Sequence, residues 1–237
     1  VNVYINQVIV KNYRCFENFT VNLNAFTLIV GENNSGKSNF LKALSLPLTT
    51  GNLDFTQKRL SISDFNNSCI ERFLNKAFNF YRLDLKSQDE EKIEELKLLV
   101  PVIEVELGFT DPKDNYELSL IHSFLSEENK KPAFKIKYVY APKKIDDLLL
   151  MTRELVLSVG NIDDLKWQLF PTDGYEYDII SISNGKALSF DKLKNIMINI
   201  IGAERDDFSD SAAMRSNSIL TKLLIGEMNA KEKEVIN

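Results

Sequence analysis

Apolar positions along the chain follow two rhythms, a two-residue alternation and a helical repeat. Val3 to Val10 alternates and is rich in Val and Ile, which predicts a strand, and Phe19 to Leu23 predicts a second. Phe26-Thr27-Leu28-Ile29-Val30 is a short apolar run of the kind found in a buried strand. Asn39-Phe40-Leu41-Lys42-Ala43-Leu44 reads as the first turns of a helix. Residues 47–66 are turn-rich, and 68–100 are mostly helical, with Ile70, Phe73, Leu74, Ala77 and Phe78 on one face. The acidic run Ser87 to Glu95 belongs to a solvated helical face. Val102 to Phe109 alternates again, so Glu104 and Glu106 share one face of a half-exposed strand. Strands are expected at 116–121, 134–140, 167–170, 175–182 and 186–190, with a polar turn over 127–131. Residues 148–157 read as a short helix or strand. Asn184-Gly185 between two alternating runs signals a hairpin. Asp191 to Ile198 reads as a helix, Ile198 to Asp206 as a strand, and Asn217 to Met228 as an amphipathic helix. The fold class predicted is α/β, a mixed β-sheet with helices and the start of a helical arm near the C-terminus.

One stretch adds chemistry to this pattern. Gly31-Glu32-Asn33-Asn34-Ser35-Gly36-Lys37-Ser38 fits G-x-x-x-x-G-K-[ST] at every fixed position, between an apolar run and a helical one. Strand, glycine loop and helix make a phosphate site: backbone N–H groups wrap the phosphates and the helix N-terminus adds free donors. Gly31 and Gly36 give the backbone room, and Asn33 and Asn34 tolerate unusual backbone angles. Lys37 is expected to reach the β- and γ-phosphates, and Ser38 to hold Mg²⁺ through its hydroxyl. Ser35 and Asn39 flank these groups. The expected cofactors are ATP and Mg²⁺; no base-specificity motif separates ATP from GTP.

Composition narrows the classes. The chain has 237 residues, 44% hydrophobic, enough for one large domain or two small ones. No apolar run approaches the roughly 18 residues that a membrane span needs. Two cysteines, Cys15 and Cys69, are too few for a disulfide framework and suit a reducing, cytoplasmic setting. One histidine rules out a His-rich metal site, and a net charge of −5 argues against a chain that coats nucleic acid with its whole surface.

The set Ile9-Val10-Lys11-Asn12-Tyr13-Arg14-Cys15-Phe16, followed by Leu28-Ile29-Val30 and the glycine loop through Leu44, resembles the ABC-type ATPase heads of the RecF, SMC and OLD (overcoming lysogenization defect) groups. The resemblance is strong over about the first 46 residues. It implies that Arg14 lies near the bound phosphates, with Lys11 and Asn12 close to the nucleotide's edge. It also suggests Asp64, in a short Asp-Phe element after the first helix, as a Mg²⁺ or water contact, although the residues themselves favour a turn or helix-cap aspartate slightly. Ala203-Glu204-Arg205-Asp206 is similar to the segment of OLD-type ATPases where the sheet ends and a helical arm begins, with Gly202 in place of the usual Pro. The domain division expected is therefore 1–206 for the N-terminal part of an ATPase domain and 207–237 for the start of an arm.

Two look-alikes fail. Val102 to Phe109 is not a Walker B strand, because its acids alternate with apolar residues. Ser183-Asn184-Gly185-Lys186 lacks the second Gly of an ABC signature. No switch His and no TOPRIM-like carboxylate cluster is visible either. The expectation is an N-terminal part of a longer protein that binds nucleotide and turns it over poorly by itself. The resemblance implies a full-length ATPase that pairs through its heads as a homodimer and engages DNA, with a TOPRIM nuclease in phage defence. The alternatives are a RecF/SMC-type repair ATPase without nuclease, and a nucleotide-sensing module acting through a partner effector.

Overall fold

A computed structural model describes residues 3–50, 58–83, 90–128, 131–183, 185–193 and 196–198. Within them the chain forms β1 (Ile5–Tyr13), β2 (Phe16–Asn22), α1 (Lys37–Ser45), β3 (Thr49–Thr50), α2 (Asn67–Phe78), α3 (Glu90–Leu98), β4 (Ile103–Phe109), α4 (Asn115–Ile121), β5 (Leu125–Glu128), β6 (Lys131–Pro142), α5 (Ile145–Ser158), β7 (Tyr175–Ser181), α6 (Phe190–Leu193) and β8 (Met197–Ile198). The main sheet runs β2-β1-β4-β6-β5, with β7 also paired to β6. Every pairing in it is antiparallel; among the described residues the parallel component of the predicted mixed sheet is a two-residue ladder between β3 and β8. Among the described residues no helix is long and apolar enough to cross a membrane.

Alternation decides what each strand buries. Val8, Val10, Ile103, Val105, Leu107, Ile136, Tyr138 and Tyr140 are buried on one face, with α2 contributing Ile70, Phe73, Leu74 and Ala77 to the same core. The opposite face carries charge. Glu104 pairs with Lys11 at 3.1 Å and Lys137 at 3.4 Å, and Glu106 pairs with Lys135 at 3.3 Å. The shared face expected for Glu104 and Glu106 is thus an ion ladder across β1, β4 and β6.

Phe65 anchors an aromatic cluster. Its ring centroid lies 5.4 Å from that of Tyr175, 5.9 Å from Tyr140 and 6.1 Å from Phe170. Burying tyrosines requires partners for their hydroxyls. Tyr138 donates to the Lys58 carbonyl at 2.5 Å, Tyr140 to Leu60 at 2.8 Å and Tyr175 to Pro101 at 2.8 Å. Two of these bonds tie the segment entering the Ser61–Asn66 turn to the sheet. Burial pushes the pKa of all three hydroxyls up.

Several predicted elements differ. Residues 116–121 form α4 rather than a strand: Asp114 Oδ1 accepts the Glu117 N–H at 2.8 Å, and Glu117 reaches back to the Lys113 N–H at 2.9 Å. That end-capping outweighs the alternation of Tyr116, Leu118 and Leu120. Residues 167–169 form a single 3-10 turn, and 186–190 contribute only one bridge, Ala187 to Ile180, before α6. The hairpin expected around Asn184-Gly185 is seen from its flanks: Gly185, at φ 64°, donates its N–H to the Ser181 carbonyl and Ile180 bridges Ala187, while Asn184 lies outside the described residues. Residues 145–158 are helical, and the helix expected over 191–198 shortens to α6 followed by β8.

The largest difference concerns Phe26 to Val30. No strand forms there, and Phe26, Leu28 and Val30 are 84%, 76% and 79% exposed. A strand needs neighbours for its backbone groups, and none of the described strands pairs with this run. The Ile198 to Asp206 strand, the Ala203–Asp206 segment, the 217–228 helix and the 207–237 arm lie outside the described residues apart from Ile198.

The ion ladder gives a pH prediction. Burial works against the Glu104 charge, but Lys11 and Lys137 outweigh it and hold the carboxyl below its ordinary value. A depressed folded-state pKa means stability present above the ordinary value of 4.5 and lost as pH falls through the folded one. Glu104→Gln is expected to lower the unfolding free energy at neutral pH by about 1 kcal/mol, with the deficit shrinking in acid. Urea unfolding at neutral pH and well below 4.5 checks this; a deficit constant across pH would contradict it.

Candidate functional site

The glycine loop closes onto α1. Gly36 is the residue before the helix and sits at φ 94°, in the left-handed region where a side chain is strained. The space is short as well: a Cβ on Gly36 would lie 3.1 Å from Cys15 Sγ and 3.5 Å from the Phe16 ring. A Cβ on Gly31 would lie 2.6 Å from Ser35 Oγ. Asn34 takes φ 65°, one of the three described non-glycine residues at positive φ. The loop is therefore tightly wound: Gly36 is required by angle and by contact, whereas a side chain at Gly31 would have to displace the Ser35 hydroxyl.

Residues Asn33 to Asn39 line one open cavity of about 640 Å³. Lys37 Nζ lies across the loop and donates to the carbonyls of Gly31 at 2.7 Å and Glu32 at 2.6 Å. Ser38 is exposed in the first turn of α1, which carries no acidic residue. Phe40 N–H makes the first bond of the helix, to Gly36 O at 2.9 Å, so the amides of Lys37, Ser38 and Asn39 precede the helical ladder. Arg14 and Asn39 also line a neighbouring open polar cavity of about 550 Å³ with Ser63, Asn66 and Asn67.

The hairpin between β1 and β2 brings Arg14 to this place. Tyr13 pairs with Phe16, leaving Arg14 and Cys15 as the tip. Asn12 and Arg14 adopt φ 55° and 49°, both costly for residues with a side chain. The tip is held by the turn that leads into α2. Arg14 N–H donates to the Asp64 carbonyl at 2.8 Å, Asn66 N–H to the Asn12 carbonyl at 2.9 Å, and Asn66 Nδ2 to the Arg14 carbonyl at 2.8 Å. Asn66 Oδ1 also accepts the Ser68 N–H at 3.1 Å and so starts α2.

The side chains repeat the link. Arg14 donates from Nε and Nη2 to Asp64 Oδ1 at 3.0 and 2.7 Å, and from Nη1 to Asn39 Oδ1 at 3.0 Å. Its guanidinium carbon lies 5.4 Å from the Tyr13 ring centroid. Burial works against the Arg14 charge, but the bonds it donates to Asp64 and the charges of Tyr13, Asp64 and Cys15 together outweigh it and raise the pKa. The other Asp64 oxygen, Oδ2, accepts from Ser61 N–H and Oγ at 2.9 and 3.0 Å.

The structure thus brings Gly31, Asn33, Asn34, Ser35, Gly36, Lys37, Ser38 and Asn39 into one loop and helix start, with Arg14 beside Asn39. Asp64 stands behind Arg14. Lys11, grouped with them in the sequence, instead joins the ion ladder through Glu104. Sequence reading did not single out Asn66 or Ser61. Ser61-x-x-Asp64 is a capping-box spacing, and Asn66 directly precedes a helical run, so both signals were available. Among the described residues no three His, Cys, Asp or Glu side chains gather as a metal cluster.

A family model described as an AAA ATPase domain matches residues 4–225. That span takes in nearly the whole of the 237-residue chain, including the loop, α1 and the hairpin, and the chain belongs to this family. No curated protein matches the chain.

The two thiols provide a probe of this geometry. Burial pushes the Cys69 thiol up to about 11, whereas Cys15 is exposed against the loop and accepts from Asn39 Nδ2 at 3.4 Å. An alkylating reagent near neutral pH is expected to modify Cys15 and spare Cys69 in the folded protein. Mass mapping of the labelled peptides checks this; equal labelling would contradict the burial of α2's first turn.

Proposed function

We propose that this AAA ATPase domain binds ATP with Mg²⁺ at the Gly31–Asn39 loop as the phosphate-binding part of an ABC-type head. The observation that carries the reading is the loop itself: it is wound around Gly36 at φ 94°, with Lys37 folded across it and the first amides of α1 facing no acid. The donor set fits a nucleotide phosphate, since backbone N–H groups, one ammonium and a helix N-terminus all favour anionic oxygens. It also fits Mg²⁺. That ion takes few protein ligands and completes its shell with water and phosphate oxygens, so the Ser38 hydroxyl suffices on the protein side. Bound there, Mg²⁺ would neutralise charge on the phosphates.

The residues lining the loop cavity include no carboxylate, which supports binding without efficient turnover by this chain alone. Glu104 and Glu106 are committed to lysines on the outer face of the sheet. The exposed, unpaired run Phe26 to Val30 supports the companion proposal that further strands cover it in a working head. Pairing of heads, engagement of DNA and an OLD-type partnership with a nuclease are proposed on the Asn12-Tyr13-Arg14-Cys15-Phe16 resemblance and on fold-level analogy alone.

Titration with a fluorescent ATP analogue and Mg²⁺ tests the central reading. Lys37→Ala removes the one ammonium in the loop and is expected to weaken binding at least about tenfold. Equal affinity in the variant and the parent would overturn the assignment.

A further inference from the structure

Asp64 is 8% exposed, and each of its carboxylate oxygens already accepts two hydrogen bonds. One oxygen takes both Arg14 donors and the other is pinned to Ser61 within its own turn. A carboxylate fixed in this way cannot follow the guanidinium; it sets where the guanidinium stands. Of the five guanidinium N–H groups, Nε and one on Nη2 go to Asp64 and one on Nη1 goes to Asn39, in the first turn of α1. One N–H remains on each terminal nitrogen, beside the polar cavity that shares Asn39 with the loop cavity.

We propose that Asp64 is a positioning residue for the nucleotide site: it orients Arg14 on the first turn of α1, so that the two remaining guanidinium donors meet an oxyanion of the bound nucleotide. This deepens the reading of the loop as an ATP site and rests on it. It also gives Asp64 a role other than Mg²⁺ contact, because a metal would have to displace bonds from Arg14 or Ser61. The hairpin tip is built to the same end. The left-handed backbone at Arg14 is stabilised by the Asp64 carbonyl and by Asn66 Nδ2, so one turn fixes both the main chain and the side chain of the arginine.

The test is a titration of the full chain with a fluorescent ATP analogue, once with Mg²⁺ and once with EDTA. The proteins are the parent, Lys37→Ala, Arg14→Ala, Asp64→Asn, Ser61→Ala and the Arg14→Ala/Asp64→Asn pair, with thermal unfolding measured alongside. Asp64→Asn is expected to weaken binding about tenfold, equally in Mg²⁺ and in EDTA, with no further loss when added to Arg14→Ala. Ser61→Ala, which leaves the Arg14 pair in place, is expected to weaken binding about twofold. A loss from Asp64→Asn that vanishes in EDTA would overturn the proposal in favour of a metal contact. A loss that adds in full to that of Arg14→Ala would overturn it in favour of a general structural role, as would unchanged binding in Asp64→Asn. Failure of the parent to bind, or a Lys37→Ala variant that binds like the parent, would instead remove the nucleotide reading on which the proposal stands.

Discussion

The backbone exchange between Asn12–Arg14 and Asp64–Asn66 is the constraint on which the site depends. Asn12, at the end of β1, and Arg14, at the hairpin tip, occupy left-handed backbone that costs of order 1 kcal/mol or more each. They are held there by three hydrogen bonds from a turn that is itself tied to the sheet through Tyr138 and Tyr140. Without that chain of supports, Cys15 and Phe16 would not stand beneath Gly36, and Arg14 would not reach Asn39. The glycine loop is here backed by a hairpin and a turn some 20 and 30 residues away in sequence.

Much of this could be read from the chain. The loop's fixed positions are visible in the sequence, and the alternation in β1, β4, β6 and β7 gives the faces that the sheet uses. Glu104 and Glu106 were legible as a shared solvent face because the pleat has a period of two. Other features were not legible for physical reasons. Apolar alternation in Tyr116, Leu118 and Leu120 says nothing about backbone partners, and the Asp114–Glu117 caps tipped that segment into a helix. The apolar run Phe26 to Val30 has strand composition, yet strand formation depends on neighbours that composition cannot supply. The clamp by Asn66 was hidden for a related reason: its partners are main-chain groups at Asn12 and Arg14, which leave no side-chain signature.

The family match, over residues 4–225, spans the loop, α1 and the hairpin. A chain that belongs to the AAA ATPase domain family places its lysine, hydroxyl and helix amides in one open cavity, and places an arginine beside them on a strained turn. Glu104 and Glu106 lie in the ion ladder and Asp64 behind the arginine.

A structure of the chain bound to a non-hydrolysable ATP analogue and Mg²⁺ tests the account most directly. Phosphate oxygens are expected on the amides of residues 33–38 and on Lys37 Nζ, with Arg14 still held by Asp64 and its free edge turned to the nucleotide. A nucleotide seated away from the loop, or an Arg14 that leaves Asp64 and points to solvent, would contradict it.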